Sequence, residues 1–152
     1  MKIQKATQND LKKIAELRKN TLENFNLKYL PKSDIKVLIT MNSYKNLLWR
    51  NKYADMFCIN DKNKIIGTLD LYKNEIKGFY IHQDYLKKGL GTKLLEFVEK
   101  HASKKGFKKL KLVTNQSAVG FYIKKGFKIK KRIPPTGKMI KRIIFVMEKK
   151  LQ

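Results

Sequence analysis

Tyr85-Leu86-Lys87-Lys88-Gly89-Leu90-Gly91-Thr92-Lys93-Leu94-Leu95 is the stretch on which the fold turns. Before it, Glu75–Ile81 reads as a strand. After it, Leu90, Leu94, Phe97, Val98 and Ala102 recur at helical spacing, up to a stop signal at Gly106. A strand, a Gly-x-Gly turn and an amphipathic helix in that order make an anion site. The glycines let backbone N–H groups approach a ligand, and the helix N-terminus adds unpaired donors and partial positive charge. Lys87 and Lys88 bring full charges, and a pyrophosphate is the natural ligand for such a turn. Two other phosphate readings are excluded. No Gly-Lys-Ser/Thr follows, as a triphosphate loop requires. No third glycine follows Gly91 either, and the stretch lies too late in the chain for a dinucleotide fold.

Working outward, Met1–Ala6 reads as a short strand. Asn9 or Asp10 then caps a helix with Leu11, Ile14, Ala15 and Leu17 on one face. A second helical stretch spans residues 33–49, with Pro31 and Ser33-Asp34 as start signals. Tyr53–Ile59 and Ile65–Tyr72 read as strands joined by a hairpin turn at Asn60-Asp61-Lys62-Asn63. Downstream, Leu110–Val113 is a strand, Ala118–Ile123 a short helix, and Phe127–Ile129 and Ile140–Met147 closing strands. The order β-α-α-β-β-β-α-β-α-β-β predicts an α/β (mixed α+β) fold, with one mixed sheet and helices on its faces.

Leu86-Lys87-Lys88-Gly89-Leu90-Gly91 resembles the cofactor signature Gln/Arg-x-x-Gly-x-Gly/Ala of the GNAT superfamily of acetyl-CoA-dependent N-acyltransferases, departing from it only at Leu86. A second stretch, Asn115-Gln116-Ser117-Ala118-Val119-Gly120-Phe121-Tyr122-Ile123-Lys124-Lys125-Gly126-Phe127, is similar to that family's Asn-x-x-Ala…Phe-Tyr-x-Lys-x-Gly-Phe element. Residues 75–130 carry the resemblance in sequence, and residues 1–50 carry it in pattern alone. It implies a single GNAT domain over residues 1–152. Its central sheet would be mixed, mostly antiparallel and splayed at the acetyl-CoA site, with helices on both faces.

The resemblance also implies roles for particular residues. Main-chain amides of Leu86, Lys87, Lys88, Gly89, Leu90, Gly91 and Thr92 would hold the pyrophosphate of acetyl-CoA, the acyl donor. The pantetheine arm would lie along Phe79, Tyr80 and Ile81, in a wedge opening toward Leu110–Val113, with Asn115 beside it. Tyr122 matches the tyrosine that protonates or hydrogen-bonds the leaving thiolate. Glu75 stands where some members carry a general base. Each has a plainer reading: Glu75 as a solvated turn carboxylate, Tyr122 as a half-buried aromatic with its hydroxyl at the surface. A base is needed because a lysine-like amine, pKa about 10.4, is protonated at neutral pH. His82 reads as a strand-end turn residue, His101 as a helix C-terminal histidine and Cys58 as a buried structural thiol. No grouping has metal-ligand spacing. Tyr29, Tyr44 and Trp49 are candidates to line the acceptor pocket, with the core as the plainer place for aromatics at helical spacing. A rigid turn at Pro134-Pro135-Thr136-Gly137, within residues 133–138, is expected to border the acceptor side.

Composition bounds the rest. The 152 residues are 42% apolar, enough for one packed domain, and one cysteine excludes an internal disulfide. No apolar run reaches the roughly 20 residues of a membrane span, and the first residues lack a secretory pattern, so a cytoplasmic protein with no membrane partner is expected. The net charge is +24, and residues 100–152 hold 17 Lys and Arg against one acid, Glu148. Such a field draws weak polyanion association. Only four of the 36 cations are Arg, however, a lysine bias that AT-rich coding also produces. The expected partner is an amine-bearing acceptor, small molecule or protein, and a homodimer is an open oligomeric state. The rival reading is a basic nucleic-acid-binding module that keeps the fold without turnover.

Overall fold

The computed structural model describes residues 1–136 and 142–152. Seven strands form one sheet: β1 (Lys2–Lys5), β2 (Asp55–Asp61), β3 (Lys64–Tyr72), β4 (Glu75–Ile81), β5 (Lys109–Thr114), β6 (Lys128–Ile133) and β7 (Ile144–Lys150). Their order is β1-β2-β3-β4-β5-β7-β6, antiparallel throughout except for the parallel pair β4–β5. Five α-helices accompany it: α1 (Leu11–Glu23), α2 (Lys32–Met41), α3 (Tyr44–Arg50), α4 (Leu90–Lys104) and α5 (Val119–Lys124). The expected mixed sheet with helices on both faces is borne out.

Strand alternation assigns the faces. On β2, Met56 and Cys58 pack with Leu11, Ile14, Leu17 and Leu47 of α1 and α3. Phe57 and Ile59, between them, pack with Leu94, Leu95 and Val98 of α4 in the main core. The hairpins are tight. Lys62 and Asn63 both have positive φ, 49° and 67°, between the paired Asp61 and Lys64, as a two-residue primed turn requires. β2 therefore runs two residues further than the periodicity suggests, to Asp61, and it starts later, at Asp55.

Several expectations change in detail. The helical stretch over 33–49 is two helices. Asn42 ends α2, and Ser43 caps α3 by accepting the Asn46 N–H at 3.4 Å. The first helix is opened by a Thr7–Asp10 capping box around a 3-10 turn, with the Thr7 N–H donating to Asp10 at 2.8 Å, and not by a side-chain cap from Asn9. On α4, Leu95 is buried along with Leu94, Val98 and Ala102, while Phe97 is 40% exposed at the margin of the core. Ile140, expected to open the last strand, lies outside the described residues, and β7 begins at Ile144. No helix among the described residues is long and apolar enough to cross a membrane.

Candidate active site

β4 and β5 are paired at only two positions, Glu75 with Lys111 and Ile76 with Leu112. Beyond them each strand keeps its other neighbour. β4 stays with β3 as far as Ile81 opposite Gly67, and β5 stays with β7 as far as Thr114 opposite Phe145. The sheet is therefore split from Lys77 onward, and one backbone edge of β4 faces the gap. A bulge marks the split. Gly78 and Phe79 together stand opposite Leu69, between the pairs Asp70–Lys77 and Thr68–Tyr80. Gly78 has φ of 55°, a conformation in which glycine carries no Cβ penalty.

The first turn of α4 sits against the open end of β4. A Cβ built on Gly91 would lie 3.6 Å from Phe121, 3.7 Å from Phe79 and 3.8 Å from the Ile81 side chain. Gly89 precedes the helix in the left-handed region, φ 78°, with no side-chain cap and no acid in the first turn. The first intrahelical bond of the turn runs from Lys93 N–H to Gly89 C=O at 3.1 Å, so the amides of Leu90, Gly91 and Thr92 precede it as free donors. Leu86 is 55% exposed. Its side chain points to water, so losing the usual Gln or Arg costs no packing. Lys87 also takes positive φ, 60°, and the Lys88 ammonium lies 5.3 Å from the Tyr85 ring centroid.

The second stretch forms the other wall. Asn115 follows β5, and its carbonyl oxygen accepts from the N–H and hydroxyl of Ser117, which fixes the amide orientation and leaves its NH2 group as a donor. α5 then carries Phe121 and Tyr122 onto Phe79, at centroid distances of 6.0 and 6.3 Å. Gly126 and Phe127 end α5 with a Schellman pair of bonds, Gly126 N–H to Ile123 C=O and Phe127 N–H to Tyr122 C=O, both 3.0 Å. That turn clamps Tyr122 between Phe79 and Phe127. Tyr122 is 7% exposed, and burial pushes its phenol well above the ordinary value.

Phe79, Tyr80, Ile81, the signature loop and Asn115 thus lie along the split between β4 and β5, with Tyr122 packed against Phe79. On β4 the side chains divide: Phe79 and Ile81 join the α4 core, while Tyr80 packs with Leu22, Leu30 and Ile35 on the α1 side. Burial raises the Tyr80 phenol as well. Glu75 is at the closed end of the split, half-buried, with no side-chain hydrogen bond or ion pair among the described residues. The remaining candidates are elsewhere. His82 accepts the Asp84 N–H at the end of β4, and His101, in the last turn of α4, lies 2.8 Å from Asp55. Cys58 is fully buried on the α1 side, its thiol pushed up to about 12 by burial and by Asp10. Trp49 is 64% exposed, whereas Tyr44 packs on the α1–α3 core. Of the late turn, Gly137 and Lys138 fall outside the described residues.

One group was missed from sequence. Arg18, with no exposed surface, forks onto Asp70 (Nη2–Oδ1 2.6 Å, Nη1–Oδ2 2.9 Å) directly beneath the bulge. The signal was present: an arginine on the apolar face of α1 with Ile14 and Leu22, and an aspartate inside the apolar run of β3. Two opposite charges at core positions of neighbouring elements imply a pair.

The geometry defines an α/β protein with its sheet split between β4 and β5 and a helix N-terminus with free amides against the open end. The chain belongs to the acetyltransferase (GNAT) family, whose sequence profile it matches over residues 14–127. It is 31% identical over 117 residues to probable N-acetyltransferase 14 of Xenopus tropicalis, covering 62% of this chain and 57% of that protein. It is 34% identical over 76 residues to YxbD of Bacillus subtilis, covering 47% and 48%. The chain thus spans about half the length of these relatives. Among solved structures, a GCN5-related N-acetyltransferase from Rhodopseudomonas palustris superposes with a TM-score of 0.87 at 18% identity, covering 99% of this chain and 95% of that one. The PaiA N-acetyltransferase of Thermoplasma acidophilum, solved with coenzyme A, gives 0.78 at 24% identity, covering 98% of each. At such identities these likenesses speak for the fold.

Proposed function

We propose that this protein is an acetyl-CoA-dependent N-acetyltransferase of the cytoplasm, a single catalytic domain that acetylates a primary amine of a small molecule or protein in a ternary complex. The observation that carries the reading is the split between β4 and β5, with the α4 N-terminus against its open end. The residues present fit acetyl-CoA. The loop offers free amides, an acid-free first turn and two lysines for a pyrophosphate. The unpaired edge of β4 offers backbone partners for an amide-bearing arm. The Thermoplasma acidophilum neighbour was solved in complex with coenzyme A, which supports the choice of ligand.

Acetyl-CoA supplies an acetyl thioester, and the chain's residues handle protons and position. Glu75, at the closed end of the split and without a cationic partner among the described residues, takes the amine proton, directly or through water. A backbone N–H on the open edge of β4 faces the carbonyl oxygen as charge develops there. As the new C–N bond forms and the C–S bond breaks, Tyr122 donates to the sulfur. Its raised pKa, well above that of an ordinary thiol, suits a phenol that hydrogen-bonds the departing thiolate more than one that gives its proton up early. The chain's one cysteine, buried away from the cleft with a raised pKa, is unsuited to carry the acyl group, which favours direct transfer. Asp34 and Asp70 already have the arginine partners Arg142 and Arg18. Neutral or anionic acceptors should therefore outcompete polyamines for a protein this basic.

The test is thiol release from acetyl-CoA against a panel of amines, beside salt-dependent binding to RNA and DNA. Release with at least one amine is expected. Steep salt-dependent polyanion binding with neither coenzyme A binding nor thiol release would leave the basic binding module standing instead.

A further inference from the structure

We propose that Arg18, Thr68 and Asp70 are positioning residues for the cofactor strand: they hold the β4 bulge in place and so set how far β4 parts from β5. This rests on the acetyltransferase reading only in calling β4 the cofactor strand. The bonding runs in one direction across three elements. Arg18 Nε–H on α1 donates to the Thr68 hydroxyl on β3 at 3.0 Å, and that hydroxyl donates to the Gly78 carbonyl on β4 at 3.1 Å. A bulge removes a residue from the ladder, so its backbone groups need partners from elsewhere. Here the partner is a side chain whose own orientation is fixed by a buried guanidinium.

The ion pair acts as the floor on which the bulge rests. A Cβ on Gly78 would come within 2.5 Å of Asp70 Oδ2 and 2.7 Å of Arg18 Nη1, so the strand lies directly on the charged atoms. The next ring along, Tyr80, has its centroid 5.6 Å from the same guanidinium. A buried pair of this kind is weak evidence for stability, because apolar replacements of equal volume often do as well. What an apolar trio could not supply is a directed donor for one carbonyl of one strand. Arg50 also reaches Asp70, at 3.2 Å, and donates to the Met41 carbonyl at 3.1 Å. The junction of α2 and α3 is thereby fastened to the same node.

Thr68→Val keeps the shape and deletes the hydroxyl, and Thr68→Ser keeps the hydroxyl. In the free protein, amide hydrogen exchange at Tyr80 and His82, whose N–H groups face β3, should quicken about tenfold or more in Thr68→Val, while Cys58 and Ile59 on β2 keep their rates. Thr68→Ser should return exchange at both to near wild type. Calorimetric titration with coenzyme A should show roughly tenfold weaker binding for Val and near-normal binding for Ser. Should Thr68→Val not fold, Arg18→Lys, which keeps the charge but loses the fork, should give the same local pattern. Wild-type exchange at Tyr80 and His82 in Thr68→Val would overturn the inference. So would uniform acceleration across β2, β3 and β4, which would mark Thr68 as an ordinary core residue. A wild-type protein that fails to bind coenzyme A would sink the acetyltransferase reading, while the exchange measurement would still decide the role of the node.

Discussion

β3 is buried at seven of its nine positions, whereas β6 has no buried residue in six. The contrast runs through the molecule. The β1–β4 half of the sheet has α1 and α3 on one face and α4 on the other, so its inner strands read as continuous apolar runs. The β5–β7–β6 half is packed on one face only. Leu110 and Leu112 are buried while Lys109, Lys111 and Val113 between and beyond them are exposed, and the edge strand β6 is dominated by Lys and Arg, which blunt strand-to-strand association. Residues 1–99 also hold 11 of the 12 acids. The cleft lies where these halves meet, across two ladder pairs. The strand lining the cleft takes its ladder partner beyond Ile76 from the first half alone, so loss of a core contact there should loosen that strand more than loss of an exposed side chain in the second half.

The largest expected effect tests that asymmetry. Asp70→Ala strands Arg18 in the core and should cost about 3–5 kcal/mol, whereas Lys111→Ala, exposed across the split, should stay within about 0.5 kcal/mol. Urea denaturation midpoints compare them, and equal losses would break the contrast. Next, Tyr122→Phe should lower turnover by about 10²-fold with little change in coenzyme A affinity, as expected for a donor to the leaving sulfur. Full turnover across the neutral range would remove the role.

Smaller effects sharpen the site. Gly89→Val forces a β-branched residue to φ 78° and should weaken coenzyme A binding about tenfold, through strain of about 1–3 kcal/mol in the amide-bearing loop. Gly91→Ala, whose Cβ would make ordinary 3.6 Å contact with Phe121, should fold as wild type does. The first half should also set the alkaline limit of stability. The Cys58 thiol lies at about 12 in the folded chain against an ordinary 9.0, so the folded state keeps a proton that the unfolded chain loses. Stability should therefore fall between about pH 9 and 12, by up to roughly 1.4 kcal/mol per pH unit for this group. Cys58→Ala should flatten the decline in chemical denaturation, though not abolish it, because burial raises Tyr80 and Tyr122 in the same direction. The smallest change is Leu86→Gln: on an exposed side chain, restoring the usual residue should tighten coenzyme A binding by about threefold at most.

Much of the site is legible in the residues themselves. The spacing of Leu90, Leu94, Val98 and Ala102, the glycines at 89 and 91, and the Phe-Tyr…Gly-Phe stretch are local patterns, because helix periodicity and left-handed turns are decided within a few residues. Local rules are weaker where two outcomes differ by a single cap. Nothing in the run from Ser33 to Trp49 forbids one long helix, and the break at Asn42-Ser43 is held partly by contacts from Arg18 and Arg50 to Asn42. Phe97 fits the apolar face of α4 as well as Leu95 does. Only the tilt of the helix on the sheet decides which one is buried.

Short windows of the chain settle the alternation of elements, the anion-binding turn and the family pattern over residues 75–130, since each depends on neighbours a few positions apart. Long-range packing settles that β7 inserts between β5 and β6, that β4 parts from β5 after Ile76, and that Arg18 meets Asp70 across 52 residues of chain. Strand order and a buried ion pair are agreements between distant segments. Their free energy is realised only when the chain closes on itself and water leaves the interface, and no local window of sequence contains that event.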